Sequence, residues 1–172
     1  MTLEIVQEVT KPSDLNKLRE ITLNVFGEKC WEARLGYAEE LFLEIGARVG
    51  YNSPKLAGKE HGTWTLGSRG TAWWLNSPIQ KEATSDDTIS IIQEKIRAVE
   101  DTTICAFEVN YPDLALRVGF SNGYSLTLSP TASDNAFEIA YWQLYCPPDR
   151  LILEVGRGLN WSYTLNGTNL SI

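Results

Sequence analysis

The chain carries an echo of itself. An alternating segment, Trp31-Glu32-Ala33-Arg34-Leu35-Gly36-Tyr37, leads to the apolar run Leu41-Phe42-Leu43-Glu44-Ile45-Gly46. The same order returns at Cys105-Ala106-Phe107-Glu108-Val109-Asn110-Tyr111, followed by Leu114-Ala115-Leu116-Arg117-Val118-Gly119. A recurring unit needs a neighbour against which to bury its apolar face, so a repeat constrains architecture before any single element is read. The two copies cover residues 18–75 and 91–155. Each reads as helix, strand, strand, loop, strand, strand, with Trp64-Thr65-Leu66 answered by Trp142-Gln143-Leu144.

The local signals support this division. Pro12 and Ser13 open a helix whose apolar residues Leu15, Leu18, Ile21 and Val25 share one side, and Gly27 supplies its stop. A second helix follows Thr84-Ser85-Asp86-Asp87, where Ser85 is placed to cap free N–H groups, and carries Ile89, Ile92, Ile96 and Val99 as its stripe. Alternating segments predict strands at 2–9, 29–35, 41–46, 63–66, 71–76, 103–109, 114–120, 124–128, 137–146, 151–155 and 161–165. Gly67-Ser68-Arg69-Gly70 reads as a hairpin turn, as do Ser121-Asn122-Gly123, Cys146-Pro147-Pro148-Asp149 and Gly156-Arg157-Gly158, while residues 51–62 read as a loop. The expectation is one compact α+β domain over residues 1–172. Two similar helix-plus-antiparallel-strand halves place two main helices on a mostly antiparallel sheet.

Composition narrows the classes of function. Of 172 residues, 43% are hydrophobic and 10% aromatic, enough for a packed core without a disulfide or metal staple. Twenty-two acidic against fifteen basic side chains give a net charge of −7, which disfavours nucleic acid and suits a basic partner protein. No apolar run approaches the roughly 18 residues of a membrane helix, and Met1–Thr10 alternates where a secretory signal would be continuously apolar, so a cytoplasmic location is expected. Cys30, Cys105 and Cys146 are odd in number and lack metal spacing.

Motifs that look chemical dissolve in context. Gly119-Phe120-Ser121-Asn122-Gly123 matches a hydrolase nucleophile elbow, yet an alternating strand follows it where a helix is required. His61 is the sole histidine and cannot serve as base and metal ligand at once. Gly156-Arg157-Gly158 lacks the third glycine and the helix of a dinucleotide site. The acidic pairs Glu39-Glu40, Asp86-Asp87 and Glu100-Asp101 fall at helix ends and polar edges. No catalytic residue, cofactor site or metal site is therefore assigned.

The aromatics remain. Trp64, Trp73, Trp74, Tyr141, Trp142 and Trp161 lie on short strands, and in the adjacent pairs Trp73-Trp74 and Tyr141-Trp142 the two members point to opposite faces. Either one member of each pair is exposed, forming a candidate binding surface, or both faces of the sheet are covered.

Gly62-Thr63-Trp64-Thr65-Leu66 with Trp73, and Trp142-Gln143-Leu144 with Pro147-Pro148-Asp149-Arg150, Leu153, Val155-Gly156-Arg157-Gly158 and Trp161, resemble the pattern of a group of small bacterial proteins of unknown function. Some of those lie beside contact-dependent toxins and are thought to act as immunity proteins. The likeness spans most of the chain but rests on aromatics, glycines and turn residues, so it assigns no site residue. It implies an α+β protein of unknown function and hints at toxin neutralisation. Together with the charge, the resemblance makes a non-enzymatic module that binds a basic protein the first expectation. A small-molecule or carbohydrate binder with a tryptophan-lined cleft is the alternative.

Overall fold

The computed structural model describes residues 2–129, 140–147, 151–156 and 158–166. Twelve strands run β1 (Thr2–Glu8), β2 (Lys29–Leu35), β3 (Leu41–Gly50), β4 (Glu60–Gly67), β5 (Trp73–Asn76), β6 (Lys81–Thr84), β7 (Thr102–Val109), β8 (Leu116–Phe120), β9 (Ser125–Leu128), β10 (Ala140–Cys146), β11 (Leu151–Gly156) and β12 (Asn160–Asn166). They form one sheet in the order β1-β12-β11-β10-β4-β3-β2-β7-β8-β9-β5-β6, every pair antiparallel.

This corrects the expected α+β layering with two main helices. Strands make up about 50% of the described residues and helix, 3-10 turns included, 21%, and α1 (Asn16–Thr22) and α2 (Ile89–Lys95) have seven residues each. Both apolar stripes exist, but each helix tightens into a 3-10 turn, Leu23–Val25 or Ile96–Val99, because β2 or β7 must begin a few residues later. The stripes also enter the interior enclosed by the sheet instead of covering one of its faces. Ile96 and Val99 border a void of about 10 Å³ together with Leu41 and Leu43 of β3, Leu75 of β5, Phe120 of β8 and Leu126 of β9. Strands distant in the sheet order thus meet across a shared core.

The sheet order has an internal symmetry. Adding five to the strand numbers carries β2-β3-β4 onto β7-β8-β9 and β5-β6 onto β10-β11, and reverses the ten strands from β11 to β6 onto themselves. The second hairpin of each half is exchanged: β5 pairs with β9, and β10 pairs with β4. The axis passes through the β2–β7 joint, where Lys29 opposes Thr103 at an offset of 74 residues. Gly27 N–H donates to Ile104 O at 2.9 Å, and its counterpart Asp101 N–H donates to Cys30 O at 2.7 Å. Both donors have left-handed φ, +87° and +62°. At the same offset the buried residues Leu18, Thr22 and Val25 match Ile92, Ile96 and Val99, and a bulge after Cys30 matches one after Ile104. In this topology Trp142 answers Trp73, through the equivalent pairings of β10 with β4 and of β5 with β9, and not Trp64.

Two local expectations also change. β4 and β5 are not a hairpin, because Ser68 ties the end of β4 to β3: its N–H donates to Leu41 O at 2.9 Å and its hydroxyl accepts from Leu41 N–H at 3.0 Å. Ser85 does not cap α2; its hydroxyl accepts from Trp73 N–H at 3.1 Å, and the unforeseen strand β6 precedes the helix. Residues 137–139 of one expected strand, and Pro148, Asp149, Arg150 and Arg157, lie outside the described residues.

Because Gly27 turns the chain into the joint at a φ that penalises a Cβ, Gly27→Ala is expected to lower stability by about 1–2 kcal/mol in a urea titration, with no change in slope.

Candidate functional site

The six aromatics do not assemble into an exposed surface. Trp64, Trp73, Tyr141, Trp142 and Trp161 are 0–4% exposed, and Trp74 alone is half-buried, with the Lys81 ammonium 6.0 Å from its ring centre. Trp73 and Trp74 alternate in and out as a strand requires. Tyr141 and Trp142 are both buried because the ladder between β10 and β11 shifts register between Ala140 and Trp142, leaving Tyr141 as the extra residue of a bulge. Gly156 accommodates the Tyr141 ring at φ +120°, where any Cβ would collide with it. Trp142 donates its indole N–H to Leu114 O at 3.2 Å and meets Phe107 edge-on, while Trp161 donates to Asp14 O at 2.9 Å. These side chains hold the core together.

The polar candidates are engaged structurally. His61 is buried, its Nδ1 2.6 Å from Gly62 O and its ring edge-on to Tyr51, beside a depression of about 470 Å³ lined also by Asn52, Thr63 and Pro147. Among the described residues no cysteine, serine or carboxylate lines that depression. Ser121 sits in the β8–β9 turn and accepts from Thr103 N–H at 3.0 Å. Glu40 accepts from Arg69 N–H, Asp87 from Thr84 N–H and Glu100 from Ala33 N–H, and Asp101 pairs with Lys29. Among the described residues no three His, Cys, Asp or Glu side chains come together as metal ligands.

One cluster was not singled out by sequence reasoning. Glu44 is 1% exposed on the outer face of β3 and takes Arg34 Nη2 at 2.9 Å, Thr65 Oγ1 at 2.6 Å and Gly62 N–H at 2.8 Å. Arg34 also lies over the Phe42 ring. The available signal was a lone carboxylate inside an apolar alternating run. Three donors from β2 and β4 satisfy both of its oxygens, which makes it a clasp across β2, β3 and β4.

Among the described residues, two strand edges adjoin surface depressions. β1 ends the sheet. The bond from Val9 N–H to Leu159 O fixes the ladder phase, so Leu3, Ile5 and Gln7 bond to β12, while Glu4, Val6 and Glu8 turn their peptide groups outward. Leu3, Ile5 and Val6 are 46%, 36% and 59% exposed, and Glu4 and Glu8 are the only charged residues of the strand. Beside them lies a depression of about 260 Å³ lined by Glu4, Val6, Glu154, Asn160, Trp161 and Ser162. The other edge is the far part of β7, where a groove of about 520 Å³ opens next to α1.

No protein-family model, no curated protein and no solved structure matches the chain. No helix among the described residues is long and apolar enough to cross a membrane.

Two outcomes follow from the burial pattern. Trp142→Ala is expected to cost about 3–5 kcal/mol in denaturant unfolding, against about 1 kcal/mol or less for Trp74→Ala, its counterpart's outward neighbour. Burial, reinforced by the Glu100 carboxylate, pushes the Cys30 thiol up to about 12 from an ordinary 9.0. A raised folded-state value means that stability is retained below pH 9 and lost as pH rises from about 9 towards about 12. Cys30→Ser should flatten that alkaline decline in urea midpoints; an unchanged slope would refute the linkage.

Proposed function

We propose that the protein is a cytoplasmic, non-enzymatic module that binds a basic partner protein, in the manner of immunity proteins that shield a toxin domain. The observation that carries this reading is the β1 edge. Its outward peptide groups, its exposed apolar side chains and its exclusively acidic charges match an extended partner segment in which basic and apolar residues alternate. The net charge of −7 favours encounter with such a partner. The resemblance to immunity-type proteins supports the same direction, and the three free thiols suit a reducing compartment. Cleft binding of a sugar has less to rest on, since only Trp31 and Trp74 of the six tryptophans are partly open to solvent, and they lie on β2 and β5, which are not neighbours in the sheet.

Acidic side chains on an edge strand also deter self-association, so the test must separate recognition from mere repulsion. An alternating Lys-Val octapeptide is expected to bind at low salt, to weaken as salt rises and to shift the amide resonances of Glu4, Val6 and Glu8. Val6→Pro, which removes one outward N–H, should reduce that binding about tenfold or more while leaving the thermal midpoint within a few degrees. Equal binding of an alternating Glu-Val peptide, or of the Val6→Pro variant, would contradict the reading.

A further inference from the structure

The pseudo-dyad allows one half of the molecule to be read against the other, and they differ most instructively beyond the β2–β7 joint. The two strands pair only at Lys29–Thr103 and Cys30–Thr102 and then separate. The ladders of their own hairpins end with Gly36 N–H on Glu40 O at 2.7 Å and Asn110 N–H on Ala115 O at 2.9 Å. Alternation back from those bonds turns the peptide groups of Ala33 in β2, and of its counterpart Phe107 in β7, away from the hairpin partner and into the gap.

In the second half the gap is closed by the protein itself. Glu100 follows the 3-10 turn Ile96–Val99 and places Oε1 3.2 Å from Ala33 N, with Arg97 Nε 3.7 Å from its other oxygen. In the first half the corresponding residue is Phe26, with nearly the same backbone, φ −60° and ψ 130° against −65° and 145°. Leu23 stands where Arg97 does. Neither side chain can form a hydrogen bond, and both are open to solvent, at 64% for Phe26 and 69% for Leu23. The result is the groove of about 520 Å³, walled by Leu23, Phe26 and Phe107 and carrying Arg19, whose Nη2 donates to Val109 O at 3.4 Å. The other charged residue of the lining, Glu108, is paired with Arg117 at 3.4 Å.

We propose that this groove is a binding site for a small carboxylic acid with an apolar body. Its carboxylate takes the place that Glu100 fills in the other half, accepting from Phe107 N–H and facing the Arg19 guanidinium, and its apolar body lies against Leu23 and Phe26. The class of ligand is set by three things together. An intramolecular carboxylate occupies the equivalent site, a cation borders this one, and the exposed rim is apolar. The site is independent of the β1 edge and of the partner proposed for it.

The test is a titration of ¹⁵N-labelled protein with phenylacetate, alongside its neutral isostere phenylacetamide. Phenylacetate is expected to give a saturable shift at the Phe107 amide, with affinity weakened about tenfold for phenylacetamide and for Arg19→Gln. Phe26→Glu supplies the missing internal carboxylate, so it should abolish the phenylacetate shift and slow hydrogen exchange at Phe107 to the rate seen at Ala33. Three results would overturn the proposal: no saturable shift at Phe107, equal affinity for the amide, or a Phe26→Glu variant that binds as the parent does.

Discussion

Three short hydrogen bonds at the centre of the sheet hold the rest in place. Gly27 N–H on Ile104 O, Ile104 N–H on Glu28 O at 2.8 Å and Asp101 N–H on Cys30 O join two meanders that would otherwise end in open edges. The other edge of each meander is completed by a hairpin from the opposite half, β10-β11 on β4 and β5-β6 on β9. Neither half can therefore satisfy its own ladder or bury its own apolar face. Cooperativity follows from that exchange, much as it does when protomers swap elements.

Where the halves agree, the residues serve the core; where they differ, the differences mark surfaces open to selection for binding. Leu18, Thr22 and Val25 agree with Ile92, Ile96 and Val99 because both sets fill one interior. Glu44 has Gly119 as its counterpart by register, so the clasp formed by Arg34, Thr65 and Gly62 has no twin. The β1–β12 ribbon extends the sheet on one side only, beyond β11, and makes β1 the edge of the sheet among the described residues. Phe26 in place of Glu100 leaves the gap beside β7 unsealed.

Local chemistry was legible in the sequence, while the partners of each strand were not. Residues 29–35 form β2 as alternation implied, and Gly123 at φ +87° closes the β8–β9 turn that Asn122-Gly123 announced. Both helices lie where their stripes placed them, but their length is set by the strands that must start after them. The turn at Gly67–Gly70 looked like a hairpin because its composition is that of one; the bonds from Ser68 to Leu41 that redirect it join residues 27 positions apart. Which aromatics face solvent stayed open in the sequence for a related reason. A bulge at Tyr141 breaks the period of two, and the run Ala140-Tyr141-Trp142 has no glycine to mark it. The two strand edges became visible only once ladder phase was known.

Native-state hydrogen exchange under increasing urea tests the central joint most directly. If the joint and the exchanged hairpins bind the halves into one unit, the amides of Gly27, Asp101 and Ile104 open only with global unfolding, and the core strands β3, β4, β8 and β9 converge on the same free energy. If β3 and β4 open at lower urea while β8 and β9 stay protected, or if the joint amides exchange several kcal/mol below the global value, the halves are separable and the joint is not what unites them.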